Sequence, residues 1–354
     1  ADNMVFGNTT RYEGVIGTSI AKVFDMTVAS TGLAAKRLKQ FGIPYASSTT
    51  HSASHAGDYP DALPLTLKLT FDPASGKLYG GQCVGYDGAD KRIDQIALLI
   101  KQGGTVYDLI KVEHAYAPPF SSAKDPIAIA GYVAGNIISG AMPVATWRQM
   151  AEADRCDTLF LDVRTREEHA FGAIPGSVNI PLDELRGRIG ELPRDKEIYI
   201  YCAVGLRGYL ALKILTGHGF TRVKNLSGGY KTYATATAPI ENKTAMIRTN
   251  GKTDTQHTGE RIKTLKIDAC GLQCPGPVMK IKQAIDSIGE GERIEMVATD
   301  AGFSRDAQAW CNTTGNILIS NLEEKGKYTV VIEKGSPQAC RTATSCDGKA
   351  KTLI

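Results

Sequence analysis

Hydrophobic and polar residues alternate along short stretches in the first third of the chain, a pattern typical of half-buried β-strands. Residues 63–71 alternate at period two, residues 72–76 have turn composition, and residues 77–80 resume the strand pattern. An apolar run at 15–26 is also strand-like. These stretches predict an antiparallel sheet.

Helical spacing accompanies these strands. Residues 34–41 form a short helical pattern that Gly42 ends, and residues 89–101 carry apolar residues at helical spacing up to Gly103 and Gly104. Together with the sheet they indicate an α+β module.

The most apolar stretch, residues 126–145, contains Gly131 and Gly135 at the spacing of a membrane dimer motif. Asn136 and Ser139 interrupt it, and alanine and glycine dominate over leucine. We therefore expect a closely packed helix rather than a membrane span.

In the middle of the chain, strand and helix patterns follow one another. Strands are expected at 158–163, 197–201 and 223–226, with helices near 182–189 and 207–216. This order predicts an α/β fold with a parallel sheet, and ligand sites in such sheets lie at the carboxyl ends of the strands.

Composition limits the number of domains and the kinds of partner, but it does not identify a function. The chain has 354 residues, with 42% hydrophobic residues, 22% charged residues and a formal net charge of +4. This length predicts about two to four domains. The weak positive charge, without a basic run, gives no reason to expect nucleic-acid or membrane binding.

Eight cysteines are dispersed along the chain, at positions 83, 156, 202, 270, 274, 311, 340 and 346. No signal-peptide pattern accompanies them, so we predict reduced thiols in a cytoplasmic protein. Cys270 and Cys274 lack a second pair at zinc-ligand spacing, and we expect no metal site.

The richest stretch in chemical terms is 197–208, EIYIYCAVGLRG, where a strand is expected to become a helix at Cys202. If the helix starts near Leu206, the loop N–H groups converge above the sulfur at a positive helix end, a setting that favours the thiolate. Arg207 can hold an oxyanion such as thiosulfate at two points. We predict Cys202 and Arg207 as catalytic residues. The predicted substrate-binding residues are Ala203, Val204, Gly205, Leu206 and Gly208.

The pattern Cys-x-x-Gly-x-Arg-Gly resembles the active-site loop of rhodanese-type sulfurtransferases, in the form with six loop residues from Cys202 to Arg207. Residues 159–168 and 172–181 resemble two further rhodanese signatures, with Ala173 where the family commonly has histidine. The resemblance implies a loop that accepts sulfane sulfur. The alternatives are a buried structural cysteine and a phosphatase-like use of the loop.

Residues 24–32, 55–60 and 114–126 resemble the C-terminal dimerisation domain of coenzyme A disulfide reductases and NADH oxidases, which are flavin disulfide reductases. In that family two tyrosines of this domain reach the active site of the other subunit, and Tyr59 and Tyr116 match them. The resemblance implies a homodimer and a catalytic role for both phenols, in stabilising a thiolate or donating a proton. The alternative is that both are interface aromatics.

No Gly-x-Gly-x-x-Gly motif follows a strand anywhere in the sequence. We therefore expect FAD and NAD(P)H to serve the parent reductase without binding stably to this chain. Residues 1–7 read like the end of a helix and residues 351–354 like a first strand cut short. The chain is thus expected to be a C-terminal fragment of a longer reductase, with a further domain after it.

Near its end the chain resembles the TusA-like (SirA-like) sulfur carriers, through Cys274-Pro275-x-Pro277 and a strand pair at 316–322 and 327–333. A proline at the first helical position places the sulfur of Cys274 at a helix N-terminus, which favours the thiolate. The resemblance implies a two-layer βαβαββ domain whose cysteine carries persulfide sulfur. The alternative is a cysteine without chemistry, and for Cys270 we favour packing over a resolving thiol.

The predicted fold class is therefore multidomain, combining α+β and α/β units. The predicted domains are a reductase dimerisation domain at 1–140, a rhodanese-like domain at 143–239, a linker at 240–262, a TusA-like domain at 263–335, and a linker with the start of a truncated domain at 336–354.

These resemblances lead to one hypothesis, the sulfur-trafficking portion of an FAD- and NAD(P)H-dependent reductase of CoA disulfide, persulfide or polysulfide. Cys202 accepts sulfur from thiosulfate or a low-molecular-weight persulfide and passes it to Cys274. CoA-type thiols and a downstream sulfur-acceptor protein are the further expected partners. The alternative is a non-catalytic dimerisation or docking scaffold, with chemistry only in a flavin-binding part outside this sequence.

Overall fold

The computed structural model describes residues 5–7, 9, 12–238, 263–272, 276–300, 303–324 and 326–335. The chain forms two compact units. The first contains residues 1–164 and 176–236, and the second contains residues 165–175 and 237–354. The predicted linkers at 240–262 and 336–354 lie outside the described residues.

An antiparallel sheet opens the first unit, as the alternating pattern predicts. Its strands are β1 (Ser19–Val23), β2 (Met26–Gly32), β3 (Ala46–Ala53), β4 (Pro64–Phe71) and β5 (Leu78–Gly85), in the spatial order β1-β2-β5-β4-β3. The apolar run at 15–26 is not one strand. It contains a tight turn between β1 and β2, where Phe24 adopts a positive φ of 52°.

In the part of the chain that the structure describes, the helices that follow β2 in this module are α1 (Ala35–Gln40), α2 (Ala89–Lys101), α3 (Val106–Lys111) and α4 (Pro126–Ile138). The period-two pattern of β4 buries Leu65, Leu67 and Leu69, and the core continues into α2 at Ile93 and Ile96. Burial of these side chains supplies the main driving force for this module.

The close helix packing expected for the apolar stretch is present between α3 and α4. A Cβ at Gly131 would lie 2.9 Å from the carbonyl oxygen of Val106, so only glycine permits this approach. The helix ends at Ile138, well before residue 145. Among the described residues, no helix has the length and apolarity needed to cross a membrane.

A parallel sheet follows in the same unit, as predicted. Its strands are β6 (Val144–Ala145), β7 (Thr158–Asp162), β8 (Val178–Asn179), β9 (Glu197–Tyr201) and β10 (Val223–Leu226), in the order β6-β10-β9-β7-β8. Along the chain, the helices of this region are α5 (Trp147–Glu152), α6 (Arg166–Ala170), α7 (Leu182–Leu185), a 3₁₀ turn (Ile189–Glu191), α8 (Leu206–Gly217) and α9 (Gly229–Thr237), of which α6 belongs to the second unit.

The second unit has a four-stranded mixed sheet in the order β11-β12-β14-β13. Its elements along the chain are β11 (Thr264–Ala269), α10 (Gly276–Ser287), β12 (Arg293–Ala298), α11 (Phe303–Thr314), β13 (Ile317–Glu324) and β14 (Lys327–Glu333). This is the βαβαββ order that the resemblance implied. The core of the unit includes Ile281, Met296 and Trp310, and Phe171 packs against it.

Candidate active site at Cys202

Cys202 follows the buried strand β9 directly and is itself only 1% exposed. Its sulfur accepts a hydrogen bond from the N–H of Gly205, with an N to Sγ distance of 3.1 Å. Gly205 has a φ of 120°, a conformation that side-chain-bearing residues rarely adopt. Glycine at this position therefore turns the loop so that an amide points at the sulfur.

The carbonyl groups of the loop are held from α9. The N–H of Tyr230 donates to the carbonyl oxygen of Cys202 at 2.8 Å, and the N–H of Lys231 donates to that of Ala203 at 3.0 Å. Gly229, with a φ of 60°, makes this approach possible, since a Cβ there would lie 2.6 Å from each of those carbonyl oxygens. The first turn of α9 thus holds the loop through its backbone.

Asn225, buried at the end of β10, fixes the other side of the loop. Its Nδ2 donates to the carbonyl oxygen of Gly205 at 3.0 Å and contacts the sulfur of Met142 at 3.5 Å. The side chain also faces Gly208, where a Cβ would collide with Oδ1. Close packing of α8 on β10 therefore depends on glycine at position 208.

Beneath the loop lies a buried ion pair between Asp162 and Arg164, with an Oδ2 to Nη2 distance of 2.7 Å. The guanidinium carbon lies 4.1 Å from the centre of the Tyr230 ring and 5.3 Å from that of Tyr201. The Tyr201 hydroxyl in turn lies 2.8 Å from the hydroxyl of Ser177. Arg164 therefore packs against the two aromatic residues that flank Cys202.

The structure brings the predicted loop residues together as one strand-to-helix connection. Ala203, Val204 and Gly205 are partly buried, and Leu206 is 68% exposed. Arg207 lies partly buried in the first turn of α8. Because first-turn N–H groups have no partner within their own helix, this end of α8 can bind an anion next to Cys202.

Several supporting residues were not among the predicted site residues. These are Asp162, Arg164, Tyr201, Asn225, Gly229 and Tyr230. A sequence signal existed for some of them, since a strand that ends in Asp-Val-Arg places a charged pair beside a buried position. Asn225 lies in an ordinary strand pattern, and its role becomes visible only when α8 packs on β10.

The loops that carry Tyr59 and Tyr116 lie side by side in the antiparallel module. The N–H of Ala56 donates to the carbonyl oxygen of Pro118 at 3.2 Å, and the Ser122 hydroxyl donates to that of His55 at 3.1 Å. Both tyrosines are exposed residues, Tyr59 at 44% and Tyr116 at 55%. The structure therefore displays the two phenols on one exposed region.

A buried ion pair anchors the same region. Arg92 and Asp125 approach to 2.8 Å, and Arg92 Nη2 also donates to the carbonyl oxygen of Ser54 at 3.0 Å. The Ser121 hydroxyl donates to Asp125 at 2.7 Å. The pair thus connects the two tyrosine-bearing loops to α2 and to the start of α4.

The remaining cysteines differ in environment. Burial raises the pKa of Cys83 to about 12 and that of Cys311 to about 11, so both are poor nucleophiles. Cys270 is partly buried, and its N–H donates to Asp268 at 2.8 Å. Cys274, Cys340 and Cys346 lie outside the described residues.

The resemblance to flavin reductases implies FAD and NAD(P)H, and a dinucleotide needs free backbone N–H groups at a strand-to-helix junction. The junction after β9 holds the Cys202 loop. The junction after β10 contains Gly228 and Gly229, but the following N–H groups bind the carbonyl oxygens of Cys202 and Ala203 and cannot bind a pyrophosphate. These junctions therefore do not fit a dinucleotide.

Three family models match the chain. They are the pyridine nucleotide-disulphide oxidoreductase dimerisation domain at residues 18–126, the rhodanese-like domain at residues 145–236 and sulfurtransferase TusA at residues 265–334. Each matched range covers one of the three sheets, apart from the first residue of β6 and of β11.

Individual relatives agree with these matches. The coenzyme A disulfide reductase of Staphylococcus epidermidis is 40% identical over 134 residues, which make up 38% of this chain and 30% of that protein. The crystal structure of reduced Bacillus anthracis CoADR-RHD is similar with a TM-score of 0.64 and 49% identity, over 66% of this chain and 42% of that chain. The NAD-dependent persulfide reductase from A. fulgidus is similar with a TM-score of 0.57 and 38% identity, over 64% and 41%.

The chain thus spans less than half the length of each of these relatives. The motifs and the sheet topologies nevertheless agree with the three matched domains. The chain thus combines a pyridine nucleotide-disulphide oxidoreductase dimerisation domain, a rhodanese-like domain and a sulfurtransferase TusA domain, and it is similar to coenzyme A disulfide reductases and to a persulfide reductase over part of their length.

Proposed function

We propose that this chain is the sulfur-trafficking part of an FAD- and NAD(P)H-dependent reductase that acts on CoA disulfide, persulfide or polysulfide. The observation that carries the proposal is the Cys202 loop. A cysteine with an amide directed at its sulfur sits beside a helix N-terminus that carries Arg207. Such a loop suits a nucleophile that must hold a negatively charged donor.

In the proposed reaction, the Cys202 thiolate attacks the outer sulfur of thiosulfate. A sulfur–sulfur bond forms at Cys202 while the bond within thiosulfate breaks, and sulfite leaves with the electron pair. Cys202 is left as a persulfide. With a low-molecular-weight persulfide as donor, the corresponding thiolate leaves instead.

Arg207 and the loop amides bind the charge of the donor and stabilise the charge that develops on the leaving group. Ala203, Val204, Gly205, Leu206 and Gly208 supply the backbone of this cradle. The supporting contacts from Asn225 and Tyr230 hold the cradle in shape before the donor arrives, which lowers the cost of reaching the transition state.

The proposed second step passes sulfur to Cys274. The Cys274 thiolate attacks the outer sulfur of the Cys202 persulfide, which regenerates the Cys202 thiolate and leaves a persulfide on Cys274. The sequence between the two domains has linker composition, and a tether of this kind raises their effective concentration. A downstream acceptor protein would then receive the sulfur.

Tyr59 and Tyr116 are proposed to act in the homodimeric reductase, in which each phenol donates a hydrogen bond to a departing thiolate of a CoA-type substrate. Their exposure on two joined loops supports this role. In the full-length reductase, Tyr59→Phe and Tyr116→Phe should slow disulfide or persulfide reduction. Wild-type rates in both variants would leave the tyrosines as interface residues only.

The test is to incubate the chain with thiosulfate and map added sulfur by intact-protein and peptide mass spectrometry over time. Sulfur should arrive first on Cys202 and later on Cys274. Cys202→Ser should abolish the transfer of sulfur from thiosulfate to cyanide. Cys156→Ser, at an exposed cysteine of the same domain, should retain the wild-type rate.

Two other outcomes would change the proposed roles of these domains. Sulfur on Cys274 alone would make the rhodanese-like domain a docking module. Sulfur on neither cysteine would contradict the proposal and favour the scaffold alternative.

A further inference from the structure

A histidine of the antiparallel module contacts the segment that holds the Cys202 loop. His51 lies on β3, and its Nε2 is 2.8 Å from the hydroxyl of Thr232 on α9. The other ring nitrogen, Nδ1, is 2.9 Å from the hydroxyl of Thr66 on β4. The imidazole therefore links two strands of one domain to a helix of the next.

Another contact lies beside this one. The N–H of Thr49, two residues before His51, donates to the hydroxyl of Ser227 at 2.9 Å. Ser227 and Thr232 stand on either side of the turn at Gly228 and Gly229. A Cβ at Gly228 would lie 3.1 Å from a methyl carbon of Thr49, so the strand packs closely against the turn.

The direction of the hydrogen bonds follows from their partners. The Thr232 hydroxyl donates to the carbonyl oxygen of Gly228 at 3.1 Å, so its oxygen is left to accept from His51. His51 therefore carries its proton on Nε2, and Nδ1 accepts the hydroxyl proton of Thr66. The result is a chain of donors that runs from Thr66 through His51 and Thr232 to Gly228.

The charge state of the imidazole is consistent with this chain. Burial lowers the pKa of His51 to about 3, and the positive charge of Lys231 makes a smaller contribution in the same direction. The ring is accordingly neutral throughout the pH range in which a thiolate can react. A neutral ring presents one donor and one acceptor, which is what the two threonine contacts require.

From Thr232 the connection reaches the nucleophile within one turn of helix. The N–H groups of Tyr230 and Lys231 donate to the carbonyl oxygens of Cys202 and Ala203. The same first turn of α9 is thus bound to His51 on one side and to the catalytic loop on the other.

We propose that His51 is a positioning residue for the Cys202 loop, which it holds through Thr232 and the first turn of α9. This inference rests on the proposed sulfurtransferase function. It makes the dimerisation domain part of the scaffold of the sulfur-accepting site rather than a separate module.

The experiment compares variants of the complete chain in thiosulfate:cyanide transfer and in amide hydrogen exchange. His51→Leu removes both ring contacts and should lower kcat about tenfold with little change in KM, since small misplacements of reacting groups have large effects on rate. It should also speed exchange at the amides of Tyr230 and Lys231. His51→Gln, which keeps a donor near the Nε2 position, should recover at least half of the loss.

Thr232→Val removes the same contact with little change in side-chain volume and should lower kcat similarly. Because both changes break one contact, the double variant with His51→Leu should lose no more activity than His51→Leu alone. Thr50→Val is the matched control. Thr50 directly precedes His51 on β3. Its side chain is buried on the other face of the sheet, and its hydroxyl donates to the carbonyl oxygen of Leu67. It should alter neither kcat nor exchange at α9.

The exchange measurement separates this inference from the proposed function. Wild-type exchange at Tyr230 and Lys231 in both His51→Leu and Thr232→Val would overturn the positioning role, even if the transferase is active. If both variants exchange faster but the wild-type chain itself transfers no sulfur, the contact is retained and the proposed function is overturned. Unchanged kcat together with faster exchange would also overturn the positioning role.

Discussion

The guanidinium carbon of Arg164 lies 4.1 Å from the centre of the Tyr230 ring, while the backbone N–H of Tyr230 donates to the carbonyl oxygen of Cys202. A single aromatic residue therefore connects a buried charge to the backbone of Cys202, the proposed nucleophile. Arg164 is held in turn by Asp162 at 2.7 Å. Asp162, Arg164 and Tyr230 thus form a continuous set of contacts that ends at the backbone of Cys202.

We expect Asp162→Asn to lower the free energy of unfolding by about 3 kcal/mol, because it removes a negatively charged partner from the buried guanidinium of Arg164. Thermal and denaturant unfolding measure the change. The matched control is Asp157→Asn, which breaks an ion pair with Arg222 whose side chains are 59% and 48% exposed. That change should cost less than about 1 kcal/mol. Equal losses in the two variants would contradict the assigned role of the buried pair.

Gly229→Ala is expected to damage the site strongly. The substitution forces a side chain into a positive-φ conformation, at a cost of about 1–2 kcal/mol, and places Cβ against two loop carbonyl oxygens. Sulfur transfer from thiosulfate should fall at least about tenfold as the loop shifts. Gly217→Ala, where a Cβ would meet open space at the end of α8, should leave activity unchanged. An active Gly229→Ala variant would show that the loop does not depend on this close approach.

The charge of Arg207 should act on the donor anion. Arg207→Gln is expected to raise KM for thiosulfate and lower kcat/KM by about a hundredfold, because a donor to the oxyanion is lost from the site. Arg207→Lys keeps the charge without the planar two-point geometry and should recover only part of the loss. Lys213→Gln, the same charge change at an exposed position of α8, is the control. Equal kinetics for Arg207→Gln and Lys213→Gln would show that the loss of activity comes from the change in net charge alone.

A pH dependence follows from His51. Its pKa is about 3 in the folded chain and 6.5 as a free side chain, so between these values the unfolded chain binds the additional proton. The stability that the neutral ring contributes is complete above pH 6.5 and is lost as the pH falls towards 3. The melting temperature of the wild type should therefore drop more steeply with acidification than that of His51→Gln. Parallel curves would show that the ring is not held neutral.

Local sequence patterns were sufficient for most of the fold. The alternation at 63–71 reports burial on one face of a strand, and this preference acts between residues two apart in the chain. The same kind of pattern gave a wrong prediction at residues 15–26, where an apolar run suggested one strand but the chain turns at Phe24. Hydrophobicity records how much of a strand is covered but carries little information about where a strand reverses.

The candidate nucleophile and its cation were predictable because they lie five residues apart in one strand-to-helix loop, and short-range geometry makes such a motif recognisable. The supporting contacts were not. Thr232 stands 181 residues from His51 in the chain, and no local pattern links them. The sequence by itself therefore determined most of the elements and the three domain types, and it predicted Cys202 and Arg207 as catalytic residues. Only the tertiary structure decided what holds them in place, because contacts between residues far apart in the chain form only when whole elements pack.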